Sequence, residues 1–248
     1  MIEKTESIVL RSVKYQESSL ISTLYTDRLG RISVIARGAR KPKSRFAAML
    51  TPGQMLETVF HYKGTRSVQT LTEASYLEPL GSLRTDVRKL ALVTTLCELL
   101  LQLIHENDPN EPLFHYLKTS ILWISRQDAV SPVLFPYIQI RIADKIGFGL
   151  QTEVDPSGAF TEPGSLNIPS GTATFGAPDS GSVRLTSGQM RFVVCSLEPA
   201  GTSALQVPLS EAECSQLIHY IDRYFAYHVE GIRPRKSDAI FEQLLYTV

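Results

Sequence analysis

The period at which apolar residues recur changes once along this chain, at Pro79-Leu80-Gly81, and that change limits the folds open to it. Before it, five segments read as strands: Glu6 to Lys14, Ser18 to Thr26, Arg31 to Gly38, Gln54 to Tyr62 and Arg66 to Leu77. They alternate apolar and polar residues and are separated by the turn-forming stretches KYQES, Asp27 to Gly30, Thr51-Pro52-Gly53 and Lys63-Gly64. After it, Val87, Leu90, Ala91, Thr94, Cys97, Leu101 and Ile104 recur at helical spacing, and Leu96, Leu99, Leu100 and Leu103 widen the stripe.

Five short strands close into a small barrel more readily than they form an open sheet, because closure leaves no exposed edge. The oligonucleotide-binding (OB) fold is the commonest five-stranded version. The expected architecture is α+β, with an OB-fold barrel over residues 1–80 followed by an all-α helical domain over 81–248. Pro109 and Pro112 start a second helix carrying Leu113, Phe114, Leu117, Ile121 and Trp123 to Ile124, and Ser131-Pro132 starts a third that ends at Gly147-Phe148-Gly149. Residues 151–186 turn to Pro, Gly, Ser and Thr and read as a long irregular insertion, pinned by Phe160, Leu166, Ile168 and Phe175. Helices resume from Ser187 to Leu197 and from Ser210 to Val229. A closing helix capped by Ser237 is expected to bury Ile240, Phe241, Leu244 and Leu245.

Charge is distributed unevenly over this frame. The whole chain has 25 basic and 25 acidic residues, yet Arg28 to Arg45 contains seven cations and no acid. Residues 1–80 carry a net +5 and the remainder −5. Such a run points to an anionic partner. Arg31 and Arg37 fall on one face of the third strand, opposite Ile32, Val34 and Ala36, and Arg40, Lys41, Lys43 and Arg45 follow on a loop interrupted by Pro42. Tyr15, Phe46, Phe60 and Tyr62 are the aromatics available for base stacking, although Phe60 and Tyr62 share a strand face, so that at least one of them equally suits the barrel core.

The patterns that mark catalysis are missing. There is no GxxxxGK[ST], GxGxxG, GxSxG, HExxH or CxxC, and the five histidines are scattered. Asp27, Glu57 and Glu73 have no spacing that favours an acid pair, so the expectation is a protein that is not an enzyme, with no cofactor and no metal site. Cys97, Cys195 and Cys214 are odd in number and far apart, which predicts free buried thiols. No apolar run approaches the ~20 residues of a membrane span, and the N-terminus lacks signal-peptide features. A soluble, cytoplasmic, nucleoid-associated protein without membrane partners is expected.

Lys14-Tyr15-Gln16-Glu17-Ser18-Ser19-Leu20, then Tyr25-Thr26-Asp27, Gly30-Arg31 and Ala36-Arg37-Gly38-Ala39-Arg40-Lys41-Pro42-Lys43-Ser44-Arg45, follow in an order that resembles the bacterial recombination mediators of the RecO family. The resemblance is specific over the first 80 residues and weaker over the helices. It implies binding of single- and double-stranded DNA, annealing of complementary strands, and work in recombinational repair by the RecF pathway. The implied partners are RecR, the C-terminal tail of single-stranded DNA-binding protein (SSB) and, indirectly, RecA. Such a tail is acidic and aromatic, so its receptor needs an apolar pocket rimmed by cations. Arg84, Arg88 and Lys89, or Arg141 and Lys145 beside Ile138 and Ile142, fit that need. Many members carry a four-cysteine zinc site where this chain has residues 151–187 without a cysteine, so zinc is not expected. An OB-fold RNA-binding protein, or a protein-docking adaptor without annealing activity, is the alternative.

Overall fold

The structure is a computed structural model that describes residues 1–158 and 160–246. The chain divides into two compact units, one of residues 1–128 with 234–244 and one made principally of residues 129–233. The first carries 19 basic and 15 acidic residues, and the second 6 and 10.

In the first unit, strands β1 (Ile2–Tyr15), β2 (Ser19–Thr26), β3 (Gly30–Ala36), β4 (Met55–His61) and β5 (Val68–Tyr76) close a barrel in the order β1-β2-β3-β5-β4. Closure requires β1 to pair along its first half with β4 and along its second with β2, while β3 meets β5 in parallel. The expected alternation holds in β3: Ile32, Val34 and Ala36 are buried with Val9, Leu24, Leu56 and Phe60, while Arg31, Ser33 and Ile35 face away from them. A short helix α1 (Phe46–Met49) packs Met49 and Leu50 into the same core.

Helices α2 (Gly81–Thr85), α3 (Val87–Leu103) and α4 (Glu111–Arg126) belong to this unit, so its limit does not coincide with the change from strands to helices at residue 81. The α3 helix covers β1. Cys97 Sγ donates to the Val9 carbonyl at 3.7 Å, and Gly53 lies so close that a Cβ there would sit 2.3 Å from Val93 Cγ1. Asp86 caps α3, and Asn110 caps α4 with Pro112 in its first turn. All three cysteines are free and buried. Burial pushes the Cys97 thiol up to about 12 and the Cys214 thiol up to about 11. In α8 (Asp238–Tyr246), Phe241 is buried and Leu244 half-buried, but Ile240 is exposed; the side chain of Leu245 lies outside the described residues. Ser237 directs its hydroxyl to Glu98 Oε2 at 2.9 Å.

The second unit holds α5 (Leu134–Lys145), α6 (Ser187–Leu197) and α7 (Glu211–His228). The 151–186 segment is not irregular as expected. It forms a four-stranded sheet, β6 (Gln151–Thr152), β7 (Gly164–Asn167), β8 (Thr172–Phe175) and β9 (Ser182–Leu185), in the order β6-β8-β7-β9. Strands of two to four residues show too few alternations to be read from sequence. The abundant small residues have a packing role instead: a Cβ on Gly164 would lie 2.7 Å from Met190 Sδ, and one on Gly171 2.6 Å from the Tyr224 hydroxyl. Leu166, Ile168, Ala173 and Leu185 are buried, whereas Phe175, expected to anchor the segment, is largely exposed.

The N-termini of α6 and α7 share one carboxylate. Glu213 completes the α7 capping box with Ser210, and its Oε1 accepts from Thr186 Oγ1, the α6 cap, at 2.5 Å. The Thr186 hydroxyl, then the Ser210 groups, hold the Glu213 carboxyl below its ordinary value. A depressed carboxylate stabilises the fold above its unfolded pKa and loses that contribution as pH falls through the folded value. Glu213→Gln is therefore expected to flatten the acid limb of a urea-stability profile below about pH 5, with wild type losing more stability over that range. In the first unit, Gly30 sits at φ +65 with Asp108 O only 2.3 Å from a built Cβ, whereas Gly38 (φ +68) meets nothing nearer than 3.6 Å. Gly30→Ala is expected to cost at least ~2 kcal/mol more than Gly38→Ala in chemical denaturation, since both share the strained φ and only the first adds a clash.

Candidate nucleic-acid interface

The cation ribbon begins where β3 leaves the barrel. Gly38 takes the left-handed conformation, and Ala39 then plugs into the barrel core with no exposed surface. Arg40 N–H donates to the Ser18 carbonyl at 2.8 Å, and its Nη1 reaches the Gln16 carbonyl at 3.3 Å. Two tight bonds follow, Lys41 N–H to Gly38 O at 3.1 Å and Ser44 N–H to Lys41 O at 2.9 Å. The loop is thus fixed by its backbone to the β1–β2 turn, which leaves the side chains of Arg37, Arg40, Lys41, Lys43 and Arg45 exposed. Among the described residues none of these five forms an ion pair with an acid.

Arg31 does not project with them. Its Nη1 donates to the Leu101 carbonyl at 2.6 Å in the last turn of α3, and its Nη2 lies 4.0 Å from Glu106 Oε1. It occupies an orphan carbonyl at a helix C-terminus, where a cation also complements the helix dipole. Its place on the outer face of β3 was legible in sequence, but the helix end that meets it was not.

Two cations that the charge run omits join the patch. Arg11 and Lys14 are exposed on β1, and Lys14 pairs with Leu20, which pairs with Ala36, so Lys14 lies about two strand spacings, ~10 Å, from the end of β3. The readable signal was the hairpin pairing of the first two strands. Tyr15 stands beside them, 42% exposed. Phe46 is half-buried against the barrel core, Tyr62 packs likewise, and Phe60 is fully buried and cannot stack on a base.

The acids of the barrel are dispersed. Asp27 accepts from Thr5 Oγ1, and Glu57 pairs with Lys4 at 2.9 Å. Among the described residues no three His, Cys, Asp or Glu gather to hold a metal, and no helix is long and apolar enough to cross a membrane.

Two family models match nearly the whole chain. "Recombination protein O N terminal" matches residues 1–80 and "Recombination protein O C terminal" residues 84–238. The chain belongs to the RecO family. It is similar to the DNA repair protein RecO of Salinibacter ruber, at 28% identity over 246 residues that cover 98% of this chain and 94% of the relative. The DNA repair protein RecO of an Exiguobacterium species is 27% identical over 248 residues, covering 99% and 97%.

Of the cations expected at a RecO partner tail, Arg84 and Arg88 are exposed at the start of the helical segment, whereas Lys89 is buried and its Nζ donates to the Ser125 carbonyl at 3.3 Å. In the second unit Ile138 is buried, and Arg141 donates to the carbonyls of Ser196 (3.2 Å), Glu198 (3.0 Å) and Pro199 (3.3 Å) at the C-terminal end of α6. Lys145 pairs with Asp144 at 2.7 Å. Arg141 therefore does for α6 what Arg31 does for α3. Arg31→Gln is expected to lower stability by about 1.5 to 3 kcal/mol, because it removes a charged hydrogen bond from a part-buried carbonyl. Arg37→Gln should stay within about 0.5 kcal/mol of wild type. Equal losses in parallel denaturation curves would contradict the two roles.

Proposed function

We propose that this chain is a DNA-binding recombination mediator without catalytic activity, which grips sugar-phosphate backbones with a preordered cation ribbon. The supporting observation is that Arg37, Arg40, Lys41, Lys43 and Arg45 stand exposed and, among the described residues, unpaired with acids on a loop whose backbone is already fixed. A preordered loop gives up little conformational freedom on binding, and phosphate contacts carry no sequence information of their own. Both single and double strands fit such a surface. Annealing follows from it, because cations screen the repulsion between two complementary strands as they meet.

RecO membership supports the remaining parts of the reading: action in DNA repair with RecR, on SSB-coated DNA, leading to RecA loading in the cytoplasm. The acidic, aromatic SSB tail is assigned to Arg84 and Arg88. The observation favouring them is that Val87 and Leu90, 57% and 39% exposed, lie beside them on α3, while Arg141 and Ile138 are engaged within the fold. No metal enters this reading.

The triple variant Arg37→Glu, Arg40→Glu, Lys43→Glu is expected to lose at least a hundredfold in affinity for single strands at low salt, with a comparable loss in annealing of SSB-coated complementary strands. Added zinc should change neither protein. Normal binding by the triple variant would remove the ribbon from the interface.

A further inference from the structure

One groove beside the ribbon differs in chemistry from the rest of the patch. It encloses about 410 Å³ and is lined by Arg45 and Phe46 at the start of α1 and by Glu73 and Ala74 on β5. That volume lies within the range of small-ligand sites, roughly 300 to 1,000 Å³. A surface serving only phosphates has no use for a carboxylate, which repels them. Glu73 nevertheless stands exposed in the same groove as Arg45, and neither pairs with the other nor, among the described residues, with any opposite charge.

The backbone is shaped at this point. Val59 opposes Glu73 and Phe60 opposes Leu71, so Thr72 is an extra residue on β5, held by its hydroxyl to the Val59 carbonyl at 2.8 Å. The bulge lets Leu71 and Ala74, three apart, both pack toward the barrel core and leaves Glu73 outside beside α1. Bulges of this kind re-aim side chains next to binding sites.

We infer that this groove is a nucleobase pocket that takes one guanine from a bound single strand: Phe46 stacks on the base, Glu73 accepts from its Watson–Crick edge, and Arg45 meets the adjoining phosphate. The inference rests on the nucleic-acid reading given above. Guanine alone among the four bases presents two adjacent donors, N1–H and the N2 amino group, spaced for the two oxygens of one carboxylate, and its ring is free to be read only in an unpaired strand. Phe46 is held by the barrel core, so its ring is preordered for stacking, which tolerates any base. Selection therefore belongs to Glu73. A chain that binds backbones indiscriminately through its ribbon would still dock single strands in a preferred register wherever a guanine falls at this groove.

The test measures binding of the full chain, at low salt, to the pentanucleotides TTGTT, TTATT and TTITT, where hypoxanthine lacks the N2 amino group. Wild type is expected to bind TTGTT about tenfold more tightly than TTATT, with TTITT between them. Glu73→Gln, an exposed and isosteric change, should abolish that ratio by weakening TTGTT while slightly tightening TTATT, a reversal that loss of fold would not produce. If wild type binds all three equally, the pocket is overturned and the phosphate reading stands. If it binds none, both fall.

Discussion

Burial of β1 on both of its faces holds the first unit together. Val9 points into the barrel with Leu24, Leu56 and Phe60, while Ile8 and Leu10 are buried on the outer side, where α3 lies. Each such side chain contributes roughly 1.5 to 3 kcal/mol when removed from water. The same strand closes the barrel, since only β1 pairs with both β2 and β4. Its far end then runs beyond the covered region, and Val13 and Tyr15 become exposed. That projecting hairpin is the support to which Arg40 and its loop are tied through the Ser18 and Gln16 carbonyls. The proposed binding surface is consequently a product of how the barrel closes.

Arginine serves two purposes in this chain, and the distinction lies in what its guanidinium reaches. Arg31 and Arg141 meet carbonyls at helix C-termini, where the backbone leaves acceptors unsatisfied. Among the described residues Arg37 and Arg45 form no ion pair with an acid and remain available to an external anion. The backbone of the loop, rather than side-chain pairing, supplies its order. For a phosphate grip this is the favourable arrangement, because the cations need not break internal salt bridges before binding.

The barrel was legible in the sequence because its strands are seven to fourteen residues long, β3 alternates cleanly as GRISVIA, and the turns are marked by Gly, Pro and Asp. Helix starts were legible for a similar reason: Pro112 and Ser210 carry local cap chemistry. The sheet of residues 151–186 was hidden, since strands of four residues or fewer show no usable period and its glycines read as loop when they serve close packing. At the interface, the charge run located the ribbon, but Arg31 depended on a helix end distant in sequence, and Arg11 and Lys14 on the hairpin pairing of β1 with β2. Phe60 and Glu73 were ambiguous because alternation alone does not reveal a bulge between Val59 and Phe60.

The central claim is that a fixed cation ribbon on a closed barrel binds phosphate backbones without chemistry on them. The salt dependence of single-strand binding tests it most directly. Four to five phosphate contacts give a slope of roughly −3 to −3.5 for log affinity against log salt concentration. A slope near zero, with affinity retained at high salt, would show that the ribbon does not carry the binding.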